Sequence, residues 1–322
     1  MQTSSCISSS LPLPIINHSG FKEMEHEDRF AKNQKYDCLL FDLDDTLYPL
    51  SSGLAVAILK NLKAYMVEKL GIDPSKTDDL CNLLYKNYGT TLSGLRAIGY
   101  DFDLDEYHSF IHGKLPYENL KPDPVLRNML KSLPYRKLIF TNADKVHALK
   151  TLNILGLEDC FEGIICFETL NPINKGGVSE DDDNEFAGSA STTKPTSSNR
   201  ARNSQIFDII SHFAQENPSG TLPKTPVVCK PSEKAIELAL NIANINPHKT
   251  LFFEDSVRNV QAGKRLGLDT VLVGTSQKVQ GADYALESIH NLTEAVPDLW
   301  EADVKSEVVY TGNLAKETTV TA

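Results

Sequence analysis

Short, almost continuously apolar runs recur along the chain, at Tyr36 to Phe41, Lys137 to Thr141, Gly163 to Phe167, Thr250 to Phe253 and Thr270 to Val273. Runs of this length without polar alternation suit strands buried on both faces, which predicts a parallel sheet. Amphipathic stretches separate them. Asp144 is placed to cap a helix ending at Gly156, Ser232 one running to about Asn244, and Ser256 one ending at Gly267. Strand, helix and strand in alternation with short links predict a doubly wound, Rossmann-like α/β domain with a parallel sheet.

The interval after the first strand has a different period. Leu54, Ile58, Leu62, Met66 and Leu70 recur every four residues, and Leu80, Leu83 and Leu84 continue an apolar face with no convincing strand between them. This predicts a small all-helical cap over residues 51–128, inserted after strand 1, with the α/β core formed by 36–50 and 129–305. Ligands of open α/β sheets bind outside the carboxyl ends of the strands, so an insertion there is expected to act as a lid. Three stretches lack any apolar period: 1–35, 171–205 and 306–322. Of the 35 residues in the second, 22 are Ser, Thr, Asn, Asp, Gly or Pro, too few apolar groups to order the stretch, so it reads as a disordered insertion in a loop. The first and third read as a disordered extension and a flexible tail. Met24 shortly precedes the first strand and is an alternative start to Met1.

Composition narrows the function classes. The 322 residues carry 32 Lys and Arg against 43 Asp and Glu, a net charge of −11 that disfavours nucleic acid as a partner. No apolar run approaches the ~18 residues of a membrane span, so no membrane role is expected. Residues 1–22 are Ser-rich but contain no Arg and no clear amphipathic helix, which argues against organelle targeting. The six cysteines form no C-x-x-C pair and sit far apart or on apolar runs, as expected of reduced thiols in a cytoplasmic setting. Neither G-x-G-x-x-G nor G-x-x-x-x-G-K-[ST] occurs, which removes the usual support for dinucleotide or P-loop chemistry.

Chemistry gathers at the ends of the predicted strands. The first runs into Asp42-Leu43-Asp44-Asp45-Thr46, three carboxylates at the edge of a buried strand. Like charges this close repel unless a cation or a shared proton sits among them. The second ends in Thr141-Asn142-Ala143-Asp144, a hydroxyl and backbone N–H groups ahead of a helix, which can hold an anion. Lys230, between an apolar run and a helix, can neutralise a phosphoryl oxygen, and the fourth strand ends in Glu254-Asp255. Oxygen donors without His or Cys suit Mg²⁺ and not Zn²⁺. Asp42, Asp44, Glu254 and Asp255 with Lys230 sum to a charge of −3, which a divalent ion reduces to −1.

The four segments in this order resemble the haloacid dehalogenase (HAD) superfamily, in which Asp42-x-Asp44-x-Thr46, Thr141-Asn142, Lys230 and Glu254-Asp255 match the four motifs. The dehalogenases of the superfamily lack the second Asp of the first motif, so Asp44 points to phosphoryl transfer. The resemblance implies that Asp42 attacks phosphorus to form an aspartyl-phosphate. Asp44 would protonate the leaving alcohol and then deprotonate the hydrolytic water. Thr141 and the Asn142 amide would hold phosphoryl oxygens and Lys230 would neutralise charge. Mg²⁺ would be held by Asp42, the Asp44 carbonyl and Asp255, with Glu254 as a further candidate. Leu47-Tyr48-Pro49, Leu120-Lys121-Pro122-Asp123 and Val228-Cys229-Lys230-Pro231 most resemble the pyrimidine 5′-nucleotidase branch of fungi and plants, whose substrates are nucleoside monophosphates such as UMP and CMP. A phosphatase for a sugar phosphate or flavin mononucleotide, or a non-catalytic regulatory protein of the same fold, are the alternatives. In the cap, Tyr88 and Arg96 are candidates to stack on and charge-pair with substrate; packing of the tyrosine and solvation of the arginine are the competing reading. His108 and His112 have the i, i+4 spacing of a metal pair but lack an accompanying H-E-x-x-H glutamate, so they are expected to be surface histidines.

Overall fold

The computed structural model describes residues 35–172, 206–215 and 220–300. The expectations for the N-terminal extension, for the 171–205 insertion beyond its first two residues and for the C-terminal tail therefore lie outside the described residues. Six strands form one sheet: β1 (Cys38–Phe41), β2 (Arg136–Phe140), β3 (Gly163–Ile165), β4 (Thr250–Glu254), β5 (Asp269–Val273) and β6 (Tyr284–Leu286), in the order β3-β2-β1-β4-β5-β6. Every neighbouring pair is parallel, with Phe41 in register with Ile139 on one side and Phe253 on the other. β1 and β4 are buried along their whole length, which is why their sequences show no polar alternation. The expected doubly wound α/β fold is present.

The strand order explains where a site can form. From β1 the chain winds outward through β2 and β3, then returns to the other side of β1 and winds through β4, β5 and β6. The reversal between β1 and β4 is the switch point of an open α/β sheet, and loops leaving adjacent strands diverge there to leave a crevice. Phe41 stacks on Phe253 across this junction, with ring centroids 4.3 Å apart and planes 6° from parallel. Phe161 meets Phe41 edge-on at 5.7 Å. These three buried rings pack together beneath the ends of β1 and β4.

Eleven α-helices connect these strands among the described residues: α1 (Leu54–Glu68), α2 (Thr77–Tyr88), α3 (Thr91–Ala97), α4 (Leu104–His112), α5 (Pro124–Ser132), α6 (Lys145–Leu155), α7 (Phe167–Leu170), α8 (Ile209–Ala214), α9 (Glu233–Ala243), α10 (Val257–Arg265) and α11 (Leu292–Ala295). Helix α6 begins as expected, with the Asp144 carboxylate accepting from the N–H groups of Val146 and His147, and ends at Gly156, whose φ of 68° a residue with a Cβ adopts reluctantly. Ser232 and Ser256 do flank α9 and α10, but neither side chain makes the capping bond expected of it. At α9 the backbone alone starts the helix, Ser232 accepting from the amides of Ala235 and Ile236 through its carbonyl. Among the described residues no helix is long and apolar enough to cross a membrane.

The chain divides into two compact units. Among the described residues, one holds 35–57, 116–169 and 230–300 and carries the sheet. The other spans 58–115 and 170–229, and its described residues contain helices and no strand. The second unit differs from the 51–128 cap read from the sequence because a later stretch of chain packs with it. Phe207 N–H donates to Ile98 O, Thr225 Oγ1 donates to Ser93 O, and the Asn171 side chain pairs with both backbone groups of Val228. Its core sets Tyr65 edge-on against Phe102, Tyr107 and Phe110, and packs α3 tightly on α2. At Gly94 an added Cβ would lie 2.6 Å from Leu84 Cβ, too close for either backbone to ignore. Gly94→Ala should therefore lower stability by about 1–3 kcal/mol, read as a fall in the thermal midpoint, and an unchanged midpoint would show that α2 and α3 do not pack this closely.

Candidate active site

Asp42 is the first residue beyond β1, and its N–H donates to Phe253 O, so the ladder with β4 holds its backbone in place. Its carboxylate is buried and makes two contacts. Lys230 Nζ donates to Oδ1 at 2.7 Å, and Thr46 Oγ1 donates to Oδ2 at 3.1 Å. Lys230 is itself only 1% exposed, and its ammonium finds a partner for each of its three protons: Asp42 Oδ1, Glu254 Oε1 at 2.6 Å and Phe140 O at 2.7 Å. A buried lysine needs such a set, since an unpaired charge there would lose its proton. Burial lowers the ammonium's pKa, but Asp42 and Glu254 more than reverse this and hold it charged.

Glu254, the last residue of β4, is fully buried and heavily engaged. Oε1 accepts from Lys230 and from Asn259 Nδ2 at 2.7 Å, and Oε2 accepts from Ser256 N–H at 2.9 Å. Three donors thus fix it as the anchor for Lys230. Asp255 is the exposed member of the group. Carboxylate oxygens of Asp42, Glu254 and Asp255 can be grouped within 4.8 Å of one another. Although Asp255 as a residue is exposed, its carboxyl is pushed up to about 9, first by loss of surrounding water and then by Glu254 and Asp42. Asp42 is pushed up to about 7 by burial, against the pull of Lys230. A carboxyl held protonated at neutral pH marks a place where a cation would be welcome, and a donor set made only of carboxylates fits Mg²⁺. Beside it, Asp45 adopts φ 58°, and its Oδ1 has no hydrogen-bond partner among the described residues. Asp45 and Asp255 both border a cavity of about 450 Å³.

On the other side of β1, Thr141 leaves β2 with its N–H donating to Ile165 O, and its hydroxyl accepts from Ala143 N–H at 3.0 Å. The Asn142 side chain is used structurally. Oδ1 accepts from Lys230 N–H at 2.9 Å and Nδ2 donates to Lys230 O at 3.1 Å, so Asn142 fixes the backbone that delivers Lys230. Only the backbone amide of Asn142 is therefore suited to an anion.

Asp44 meets residues that sequence reasoning passed over. Its Oδ1 accepts from the Tyr48 hydroxyl and pairs with His147 Nε2 at 2.7 Å, while the Tyr117 hydroxyl pairs with His147 Nδ1 at 2.8 Å. The imidazole is completely buried; burial lowers its pKa, and the Asp44 carboxylate outweighs that and raises it. A signal was available, because α6 opens directly after β2 and its first turn must lie at the same sheet edge as Asp42, so a histidine there belongs on the candidate list. Asn259, one turn into α10, was findable by the same reasoning.

In the helical unit, Arg96 donates to Asp101 Oδ1 at 2.5 Å and to Phe102 O at 3.3 Å, and lies over the Phe102 ring at 5.5 Å. These contacts commit it to its own unit. The Tyr88 hydroxyl is buried with no hydrogen-bond partner among the described residues, and burial raises its pKa. Cys38, Cys81, Cys160, Cys166 and Cys229 are buried thiols, with the Cys38 thiol pushed up to about 12 by burial.

Comparison with known proteins adds an independent line. Phosphate metabolism protein 8 of Saccharomyces cerevisiae is 32% identical over 154 residues, which is 45% of this chain and 48% of the yeast protein. The chain thus matches about half the length of that relative. Among solved structures, a HAD phosphatase from Thermococcus onnurineus aligns at a TM-score of 0.46 and 17% identity, covering 80% of this chain and 96% of its own. A HAD hydrolase from Bacillus subtilis, bound to magnesium, aligns at 0.44 and 17% identity, covering 81% and 98%. The fold itself stands on the strand order and register given above. A family model described as haloacid dehalogenase-like hydrolase matches residues 191–273, a stretch that contains Lys230, Glu254 and Asp255. Over that stretch the sequence is similar to haloacid dehalogenase-like hydrolases, and Lys230 within it contacts both Glu254 and Asp42.

Proposed function

We propose that the chain is a Mg²⁺-dependent phosphomonoester hydrolase that works through a phosphoryl group carried on Asp42. The observation that carries this reading is the Asp42 carboxylate itself, ion-paired to a buried lysine and followed two residues later by a second aspartate on the same loop. A buried, oriented carboxylate with a fixed cation is suited to nucleophilic attack at phosphorus, and the second carboxylate is suited to proton transfer. Attack by an Asp42 oxygen forms the new O–P bond as the ester O–P bond breaks, and the leaving oxygen takes its proton from Asp44. Water then attacks the same phosphorus, gives a proton to Asp44 and releases the Asp42 carboxylate with inorganic phosphate. Lys230, the Thr141 hydroxyl and the Asn142 backbone amide supply positive or donor groups for phosphoryl oxygens. Asp42, the Asp44 carbonyl and Asp255 would hold the ion, with Glu254 behind them tied to Lys230. Bound Mg²⁺ would keep Asp42 ionised and offset the charge of the phosphoryl group.

The substrate class follows from the resemblance of the loop sequences and is a nucleoside 5′-monophosphate, UMP or CMP. The name of the yeast relative, which concerns phosphate metabolism, agrees with a phosphorylated substrate. Phosphate release from UMP, CMP, flavin mononucleotide and a panel of sugar phosphates, with and without EDTA, tests both parts. The pyrimidine nucleotides should rank first in kcat/KM, and chelation should lower turnover by at least about 100-fold, recovered on adding Mg²⁺. A sugar phosphate or flavin mononucleotide ranking above them would overturn the substrate assignment alone. Turnover insensitive to EDTA would overturn the metal.

A further inference from the structure

Asp45 carries two costs that a glycine in its place would avoid. Its backbone stands in the left-handed region at φ 58°, where a Cβ crowds the following carbonyl and glycine is at ease. Aspartate is tolerated there when its carboxylate hydrogen-bonds to the nearby backbone. Here Oδ1 is buried and has no hydrogen-bond partner among the described residues, so that atom does not offset the strain. A buried carboxylate oxygen without a donor is itself unfavourable, because it has given up water for nothing.

The surroundings of Asp45 show what would supply the missing donor. The residue follows directly on Asp44, whose carbonyl is the backbone ligand of the ion in the function proposed above, and it lines the same cavity of about 450 Å³ as Asp255. At about 30 Å³ for each water, that space holds several. The carboxylate oxygens that converge within 4.8 Å come from Asp42, Glu254 and Asp255 and not from Asp45, so Asp45 stands outside the set that can share one ion. Mg²⁺ keeps several waters when few carboxylates ligate it, and polarised waters of that kind are strong donors to a carboxylate beyond the ligands. We propose that Asp45 is a positioning residue of the metal site, whose Oδ1 accepts a hydrogen bond from water on Mg²⁺ and so raises the affinity of the site for the ion without ligating it. The inference rests on the Mg²⁺ reading of the carboxylate group and is independent of the substrate's identity.

The test reads metal binding directly, with no substrate present. The full chain is stripped with EDTA, dialysed and titrated with MgCl₂ in a calorimeter, and it is melted with and without Mg²⁺. Asp45→Gly should weaken Mg²⁺ binding by about 10- to 100-fold. Without the ion it should melt no lower than wild type, since the left-handed strain and the unpaired acceptor are both gone. Asp45→Asn, whose amide oxygen still accepts from water, should lose less affinity than the glycine variant. At one fixed Mg²⁺ concentration both variants should gain fewer degrees than wild type does. Asp45→Asn has almost the shape of the native side chain and keeps the test decisive if Asp45→Gly fails to fold. A wild-type Kd for Mg²⁺ in both variants would overturn the role. So would a metal-free Asp45→Gly protein that melts well below wild type, because the side chain would then serve the loop itself. The two levels fail differently: wild type that takes up no Mg²⁺ removes the metal reading and this inference with it, whereas wild type that binds and variants that match it remove the inference alone.

Discussion

Replacing Asp42 by asparagine is expected to reduce phosphate release by about 10⁴-fold or more while leaving the protein folded. The amide has the shape of the carboxylate and can keep both local contacts. Its oxygen can accept from Lys230 Nζ, and its NH₂ can donate to Thr46 Oγ1, whose hydroxyl is free to rotate from donor to acceptor. The packing floor of Phe41, Phe253 and Phe161 is untouched. What the variant loses is the anionic oxygen that attacks phosphorus, and no neighbouring carboxylate can take its place. Glu254 is already held by three donors, and Asp44 is tied by Oδ1 to Tyr48 and His147. Steady-state phosphate release on p-nitrophenyl phosphate, with a thermal melt as the folding control, reads the result. Retention of more than about a tenth of wild-type turnover in a folded Asp42→Asn protein would exclude Asp42 as the nucleophile.

Lys230→Met should give the largest stability effect and abolish activity as well. Methionine fills much of the same volume, but the three acceptors around the ammonium, Asp42, Glu254 and Phe140 O, lose their donor together. Removing one partner of a buried ionic set leaves uncompensated charge, which costs about 3–5 kcal/mol. For a unit of this size that corresponds to a thermal midpoint lower by about 10 °C. The sign of the pH dependence follows from the charges left behind. Without the lysine, Asp42, already pushed up to about 7 by burial, binds a proton still more tightly in the folded state than in the unfolded one. That stabilising contribution is full below the unfolded-state carboxylate pKa near 4 and is lost as pH rises through the higher folded-state value. Metal-free Lys230→Met should therefore approach wild-type stability toward pH 5 and diverge from it toward pH 8, as thermal melts across that range would show. A constant offset across pH would mean that the cost is one of packing and that the charges are not coupled as the contacts indicate.

Much of this site was legible because a parallel sheet delivers the carboxyl ends of its strands to one edge. Once Tyr36 to Phe41 and Thr250 to Phe253 read as buried parallel strands, Asp42, Glu254 and Asp255 had to emerge at the same rim, and Thr141 joined them from β2. Lys230 follows no strand among the described residues, and what brings it to the rim is the pairing of its backbone with the Asn142 side chain, a contact that no spacing reveals. The roles within the carboxylate group were also hidden. Glu254 and Asp255 are adjacent in sequence, yet one ends the buried strand and holds Lys230 while the other lies just beyond it and is exposed. Strand β6 escaped notice since Tyr284–Leu286 is three residues long and its sequence alternates nothing; its backbone pairing with β5 defines it. The regrouping of residues 206–229 with the helical unit depends on side chain to backbone bonds from Ser93, Thr225 and Asn171, again invisible to periodicity. Periodicity reports which faces are apolar, whereas these features were decided by polar contacts between segments far apart in the chain.

The central claim is that Asp42 carries the phosphoryl group, and rapid acid quench of the enzyme during turnover of a ³²P-labelled phosphomonoester in the presence of Mg²⁺ tests it most directly. Acid preserves an acyl phosphate long enough for the protein to be separated and digested. Label is expected on the peptide containing Asp42, absent from Asp42→Asn, and chased to inorganic phosphate by unlabelled substrate. Turnover of labelled substrate with no more protein-bound label than the Asp42→Asn variant shows would contradict the account.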